Sequence, residues 1–341
     1  MKTLFTFLAT VLLITTLQAK IVYLNNELAE PNISENLYTN WADAYAAASA
    51  GDTIYVYGSA FDYGEIGISK PLTIIGPGYF LTENLNTQTR KKVARFGEIA
   101  LAEGSSNTTI SGVVINIANR KGLILSEPIN SIKINNCYID QIRIDTKNGT
   151  VFNNIQIKKC FISSQITICS NYCNGIVTNY VIANNIINGT VSIADGSSGI
   201  IANNLITTNV LNIGTSSSFE VANNIFLNTN TSNFTIQPLP DASIHHNISL
   251  TGAFGNANDN FTAPQSTLFV SGDNTSTDGK YMLSENSPAK GKGSNGTDIG
   301  PFGGPDPYRL SGLPNLPNIY ELSTGGFVSG NELPVTIKIK Q

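Results

Sequence analysis

Charge is what this chain has least of. Of its 341 residues only 13% are Asp, Glu, Lys or Arg, about half the usual share of roughly 25%. With a formal net charge of −4 there is no basic footprint, which excludes nucleic acid as a partner and an anionic membrane as a docking surface. No zinc signature, phosphate loop or serine-hydrolase elbow occurs. Beyond the N-terminus no run of 18 apolar residues is present, so no later segment reads as a transmembrane helix. The shortage of charge does not signal disorder. Hydrophobic residues make up 41% of the chain, and Asn, Ser, Thr and Gly fill the place that charge leaves.

The first residues read as a secretory signal peptide over 1–19. Lys2 supplies the positive region, Leu4 to Leu17 the apolar run, and Leu17-Gln18-Ala19 a small-residue cleavage site. An extracellular, cell-surface or periplasmic location is therefore expected. Four cysteines in an exported chain raise the prospect of two bridges. Cys169 and Cys173 flank the short loop Ser170-Asn171-Tyr172 and form one candidate pair. Cys137 and Cys160 form the other.

What is present is a phrase that returns: apolar residues, a polar pair, then apolar residues again. It reads IKINNCY from Ile132, IQIKKCF from Ile155, VIANNII from Val181, IIANNLI from Ile200 and FEVANNIF from Phe219, with a frayed copy at Ile244 to Ile248. Taking the second residue of each polar pair gives Asn136, Lys159, Asn185, Asn204, Asn224 and Asn247, at steps of 23, 26, 19, 20 and 23 residues. A β-rich repeat of this length is what a parallel β-solenoid writes. Asn tolerates the left-handed turn between strands, and stacked amides can bond from coil to coil. Asn136, Asn185, Asn204 and Asn224 are thus expected to form one structural ladder. Cys137 and Cys160 follow the pair in adjacent repeats. With coils about 4.8 Å apart they either form a disulfide or stack as small apolar filler.

Between polar pairs runs an alternating strand. Its inward residues are Ile142 and Ile144, Ile166 and Ile168, Val191 and Ile193, Leu211 and Ile213, and Phe234 and Ile236. The outward residues are Gln141, Arg143 and Asp145, then Gln165 and Thr167, Thr190 and Ser192, Val210 and Asn212, and Asn233, Thr235 and Gln237.

The expected architecture is all-β, a right-handed parallel β-helix over 52–300. A strand and capping helix precede it (20–51), with Asn40 capping a helix from Trp41 to Ser49 that Gly51 ends. A Pro/Gly-rich linker (301–317) and a hairpin-like tail (318–341) follow, the tail expected to lie over the last coil. The polar stretch from Tyr79 to Arg95 reads as a loop leaving the solenoid.

The block from Ala46 to Val56 with Lys70-Pro71-Leu72-Thr73-Ile74-Ile75-Gly76, and the closing Ser287-Pro288-Ala289 with Gly296 to Gly303, resemble the opening and closing segments of secreted right-handed parallel β-helix proteins of the pectate-lyase-like superfamily. Gly76 to Leu81 is similar to a segment of uncharacterised bacterial exported members. The resemblance implies the architecture and leaves function open between polysaccharide lyases, glycoside hydrolases, adhesins and surface modules.

Cleavage of an acidic glycan needs two carboxylates, or a base with a group that neutralises the uronate. The outward face offers one charged coil, Asp140, Arg143 and Asp145, which reads as a compact site (Ca²⁺ with Arg143 as base) or as a surface ion pair. His245 and His246 read as an acid or metal ligand, or as a polar turn pair. No other metal ligand set or cofactor is implied. The rest of the face is neutral. Gln165, Thr167, Thr190, Ser192, Asn212, Asn233, Thr235 and Gln237 suit a polysaccharide or cell-surface glycan bound without catalysis. Non-catalytic glycan binding, or a structural role at the cell surface, is the favoured expectation; a lyase or hydrolase is the alternative.

Overall fold

The computed structural model describes residues 19–116, 122–144, 151–168, 175–207, 211–214, 218–228, 234–236 (backbone only), 243–270, 276–325 and 333–340. Residues 1–18 of the expected signal peptide, the candidate pair Cys169 and Cys173, Asp145, Val210, Asn233 and Gln237 lie outside them.

Alternation of Ile, Val and Leu with polar residues produces short strands. Each buries one face only when another coil stacks on it. The chain accordingly winds into a parallel β-solenoid. A first sheet, of twelve strands among the described residues, runs from Ile21–Leu24 through Thr53–Val56, Thr73–Ile75, Thr109–Ser111, Asn130–Asn135 and Val151–Lys158. It continues through Tyr180–Ala183, Ser198–Ala202 and Ser218–Ala222 to Ile244–His245. Ile134, Ile157, Ile182, Ile201, Val221 and Ile244 stand in register along it. A second sheet, of fifteen strands among the described residues, carries the alternating residues. There Ile142, Ile166, Val191 and Leu211 stack in register, as do Ile144, Ile168, Ile193 and Ile213, and all eight are buried. Burying each such side chain is worth about 1.5–3 kcal/mol.

A single left-handed residue turns the chain from the first sheet to the second. Asn136, Lys159, Asn184, Asn203, Asn223 and His246 hold φ between 54° and 57°, and Gly112 holds 69° in the coil before them. That region costs most L-residues about 1–2 kcal/mol and costs Asn less. The residue after the turn points inward. Asn185, Asn204, Asn224, Asn247 and Asn260 occupy this place and are buried. Each Oδ1 from Asn204 onward accepts the backbone N–H and the amide N–H of the Asn one coil earlier, all at 2.9–3.0 Å. Each Nδ2 also donates at 2.8–2.9 Å to a strand carbonyl: Ile157, Ile182, Ile201, Val221 and Ile244 in turn.

Asn136 is not a rung of that ladder, which corrects the column expected from the polar pairs. In its coil the pair is a strand end (Asn135) plus the left-handed residue (Asn136). In the later coils it is the left-handed residue plus the rung, so the column slips by one residue. Cys137 and Cys160 hold the rung position in the two earlier coils. Both are free, buried thiols, so the bridge weighed between them is not formed. Each Sγ reaches backbone carbonyls as the amides do, Ile110 and Asn135 for Cys137, Ile134 and Lys158 for Cys160, at 3.1–3.7 Å. The Cys160 N–H donates to Asn185 Oδ1 at 2.9 Å and starts the ladder, and burial pushes the Cys160 thiol well up.

The capping helix spans Trp41–Ala47 with Asn40 Oδ1 accepting from the Asp43 N–H. It ends two residues before the expected Ser49. The reason is that Lys70 Nζ takes the carbonyls of Tyr45 and Ala48, and Ala48 is extended. Trp41, Ala44, Tyr45 and Ala48 face the core as the spacing predicts.

Residues 293–316 are not a free linker. They run back along the turn column as a strap. Asn223 Oδ1 accepts from the Ser294 N–H, Asn203 Nδ2 donates to the Asp298 and Gly300 carbonyls, and Asn184 Nδ2 donates to those of Pro301 and Gly303. Farther on, Lys159 pairs with Asp306, and Asn136 reaches the Leu313 carbonyl. The strap ends beside the early coils, so the antiparallel hairpin Asn318–Thr324 with Val335–Lys340 sits there and not over the last coil. The Thr89 N–H donates to the Ile319 carbonyl. Its paired Ile319, Ile339, Leu322 and Ile337 remain exposed.

Replacing Asn204 by Ala strands the donors of Asn185 and the Ile182 carbonyl in the core. We expect a loss of about 2–4 kcal/mol in the denaturant unfolding free energy. A loss below about 1 kcal/mol overturns the ladder as a main support.

Candidate binding groove

The turn places an outward rank just past the rung: Arg95, Val114, Tyr138, Phe161, Ile186, Leu205, Ile225, Ile248 and Phe261, each in register with the next. From Phe161 to Ile248 this rank forms a second apolar layer that closes with Leu268, Ala289, Ile299 and Tyr308. At Tyr138, Val114 and Arg95 the cover ends and the rank opens into a groove of about 600 Å³. Asp62, Tyr79, Phe80, Val93, Arg95, Val114, Asn116 and Tyr138 line it.

Its floor is aromatic. The rings of Tyr138 and Phe161 stack with centroids 5.5 Å apart and planes 7° apart, because consecutive coils hold them at one level. Phe80 stands edge-on to both, at 5.6 and 5.2 Å. Phe80 reaches this place with φ of 48°. A bulky residue in the left-handed region is strained by about 1–3 kcal/mol, and such strain gathers at functional sites. The neighbouring backbone holds it there. The Tyr79 N–H donates to the Ser311 carbonyl, and Ser311 Oγ donates to the Phe80 carbonyl. Behind them Asp278, fully buried, accepts from Asn84, Ser276, Tyr308 and the Ser311 N–H.

The other wall comes from the 88–95 stretch. Gly58 lets it approach, since a Cβ there would meet the Lys92 carbonyl oxygen at 1.9 Å. Ser59 and Tyr63 N–H groups bind the Val93 and Arg95 carbonyls. This stretch brings three cations, Arg90, Lys92 and Arg95, to two carboxylates, Glu27 and Asp62, while Lys91 Nζ donates to Thr87 Oγ1. Glu27 pairs with Arg90 and Lys92, and Arg95 Nε lies 3.9 Å from Asp62 Oδ1. The hydrogen bond from Lys92, then that from the Ala60 N–H, holds the Glu27 carboxyl below its ordinary value. The charged lining of the groove is thus the Arg95–Asp62 pair, with Arg90 and Lys92 of the same stretch held by Glu27. Arg95 and Asp62 are both about half exposed and free to exchange each other for a ligand.

The expected site residues sit elsewhere. Gln141, Gln165 and Thr190 form one rank, and Arg143, Thr167, Ser192, Asn212 and Thr235 a second, in the register the alternation predicts. Gln141 and Thr167 are largely buried, with Gln165 Nε2 donating to Gln141 Oε1. Asp140 accepts from Ser163 Oγ at 2.9 Å. Neither Asp140 nor Arg143 lines the groove. Phe80, Tyr138, Asp62, Arg95 and Asn116 were not singled out from the sequence, although an aromatic after Cys137 and again after Cys160 marks the outward rank. Among the described residues no cluster of three or more His, Cys, Asp or Glu side chains encloses a metal-sized gap, and no helix is long and apolar enough to cross a membrane.

No protein-family model matches this chain, and no curated protein is significantly similar to it.

Tyrosines back the groove. Burial pushes the Tyr63 phenol up to about 12, and those of Tyr79 and Tyr308 well above their ordinary value. Because the neutral form is favoured in the fold, this stability is complete below the unfolded value of about 10 and is lost as pH rises through the folded values. In an ultraviolet titration a fraction of the 13 tyrosines should stay un-ionised near pH ~11 and ionise only with unfolding. Full ionisation of a still-folded chain at that pH contradicts the burial.

Proposed function

We propose that this protein is an exported β-helix of the pectate-lyase-like kind that holds a polysaccharide, acidic in character, without cleaving it. The groove beside Phe80, Tyr138, Arg95 and Asp62 is the observation that carries the reading. Sugar rings present apolar C–H faces that suit an aromatic floor, and their hydroxyls and carboxylates suit an Asp, an Arg and an Asn at its edge. An acidic chain gains further from Arg90, Lys92 and Arg95 of the 88–95 stretch. The groove is open to solvent, and on the neighbouring face the ranks of Gln, Thr and Ser continue in the direction of the solenoid axis. They extend the surface over which a chain makes weak contacts.

A lining with a single carboxylate, Asp62, favours holding over hydrolysis, which uses two. The solenoid itself is a rigid element, and a site on it keeps its geometry without a closing lid.

Binding is tested by retention on immobilised polygalacturonate, alginate and a neutral glucan, together with assays for new reducing ends and unsaturated products. We expect retention on the acidic polymers that weakens with salt. Arg95→Ala should lower it roughly 10-fold, and Tyr138→Ala by a similar factor, with circular dichroism unchanged. Equal retention of wild type and both variants overturns the groove as the site. Release of cleaved products overturns the non-catalytic reading.

A further inference from the structure

Three successive coils turn on the same triplet, Ala183-Asn184-Asn185, Ala202-Asn203-Asn204 and Ala222-Asn223-Asn224. The next coil keeps the rung, Asn247, and replaces the first two residues by His245 and His246. In the first sheet His245 stands in register with Ala222, and His246 takes the left-handed place that Asn holds elsewhere. The fold asks for neither imidazole, since Ala and Asn serve the same two places in the coils before it.

The two rings meet at one point. His245 Nδ1 and His246 Nδ1 lie 3.0 Å apart, with the ring planes at 86°. Their other nitrogens point away from each other toward separate carboxylates. His245 Nε2 is 3.4 Å from Glu220 Oε1, and His246 Nε2 is 3.6 Å from Asp259 Oδ2. A carboxylate therefore faces the outer nitrogen of each imidazole, at ion-pair distance. The two Nδ1 atoms share one hydrogen bond, and an ion bound between them takes the place of its proton. Ser294 Oγ lies 3.5 Å from His245 Nδ1 and is itself bonded to Asn223 Oδ1. The imidazoles are about a quarter exposed. His246 and Asp259 also line an open cavity of about 680 Å³ with Asn256, Phe261 and Lys292, which gives an ion a way in.

We propose that His245 and His246 chelate a divalent late transition-metal ion of the copper or nickel class through their Nδ1 atoms. Metal–nitrogen bonds of about 2.0–2.1 Å with nitrogens 3.0 Å apart subtend an angle of about 94°. That matches two adjacent positions of a square-planar centre, which Cu²⁺ and Ni²⁺ prefer. A tetrahedral Zn²⁺ site needs a separation nearer 3.3 Å. The Ser294 hydroxyl and water fill the remaining positions. The bound ion ties the last coils to the strap, because the histidines come from a coil and Ser294 from the strap. The site is independent of the glycan groove, at the opposite end of the solenoid.

The test uses the full mature chain, titrated with Cu²⁺, Ni²⁺ and Zn²⁺ by calorimetry. It is repeated with His245→Ala and His246→Asn, which restore the residues of the preceding coils and so keep the turn. We expect one Cu²⁺ per chain with two nitrogen couplings in its electron paramagnetic resonance spectrum, Cu²⁺ tighter than Zn²⁺, and a higher melting temperature with metal bound. Either histidine variant should lose this binding while its circular dichroism and metal-free melting are unchanged. Glu220→Gln should weaken binding roughly 10- to 100-fold. Absence of saturable Cu²⁺ binding overturns the proposal, as does binding that survives in both variants. Tighter binding of Zn²⁺ than of Cu²⁺ overturns the square-planar assignment.

Discussion

The left-handed residue that joins the first sheet to the second in each coil is the constraint from which the rest of the molecule follows. It bends the chain sharply enough that the next side chain points inward and the one after it outward. Inward, the position lies close to strand carbonyls; Val113 and the thiols of Cys137 and Cys160 fill it in the early coils, and from Asn185 onward an amide satisfies both its own groups and a backbone oxygen at each level. Outward, the left-handed side chains form a column of amides that reach the strap backbone. The same turn therefore supplies the internal ladder and the external attachment. Lys159, which cannot act as an amide, meets the strap through Asp306 instead.

Much of this was legible in the sequence. The strand registers read from Ile142 to Ile213 hold residue for residue, because alternation has a period of two and a slip of one would expose the whole apolar set. The ladder was legible in kind but not in column. A pair of polar residues does not say which member takes positive φ, and Asn135-Asn136-Cys137 resolves that choice differently from Ala183-Asn184-Asn185. The thiols of Cys137 and Cys160 could not be told from a bridge by spacing alone, since stacked positions satisfy the distance either way. The strap and groove were hidden for another reason. They depend on contacts between residues such as Asn203 and Asp298 or Phe80 and Tyr138, far apart in sequence and without any period to join them.

The candidate site also shows why the outward polar array drew attention first. It repeats, and repetition is what sequence displays. The groove arises where repetition stops: the strap ends, the loop from Gly76 to Arg95 departs, and an apolar rank is left with aromatic rings and an ion pair at its margin. The strained bulky residue beside that opening, Phe80, has its backbone held by the strap and its ring set against the aromatic pair of the coils.

A solenoid held only by neighbour-to-neighbour contacts behaves as a row of weakly linked units, able to fray from either end and to melt in stages. The strap changes that statistics. Its bonds to the turns at Asn223, Asn203, Asn184, Lys159 and Asn136 in succession join coils that never touch each other, so opening one end means detaching a segment rooted at the other. The chain thus has the shape of a one-dimensional array with the cooperativity of a globular domain.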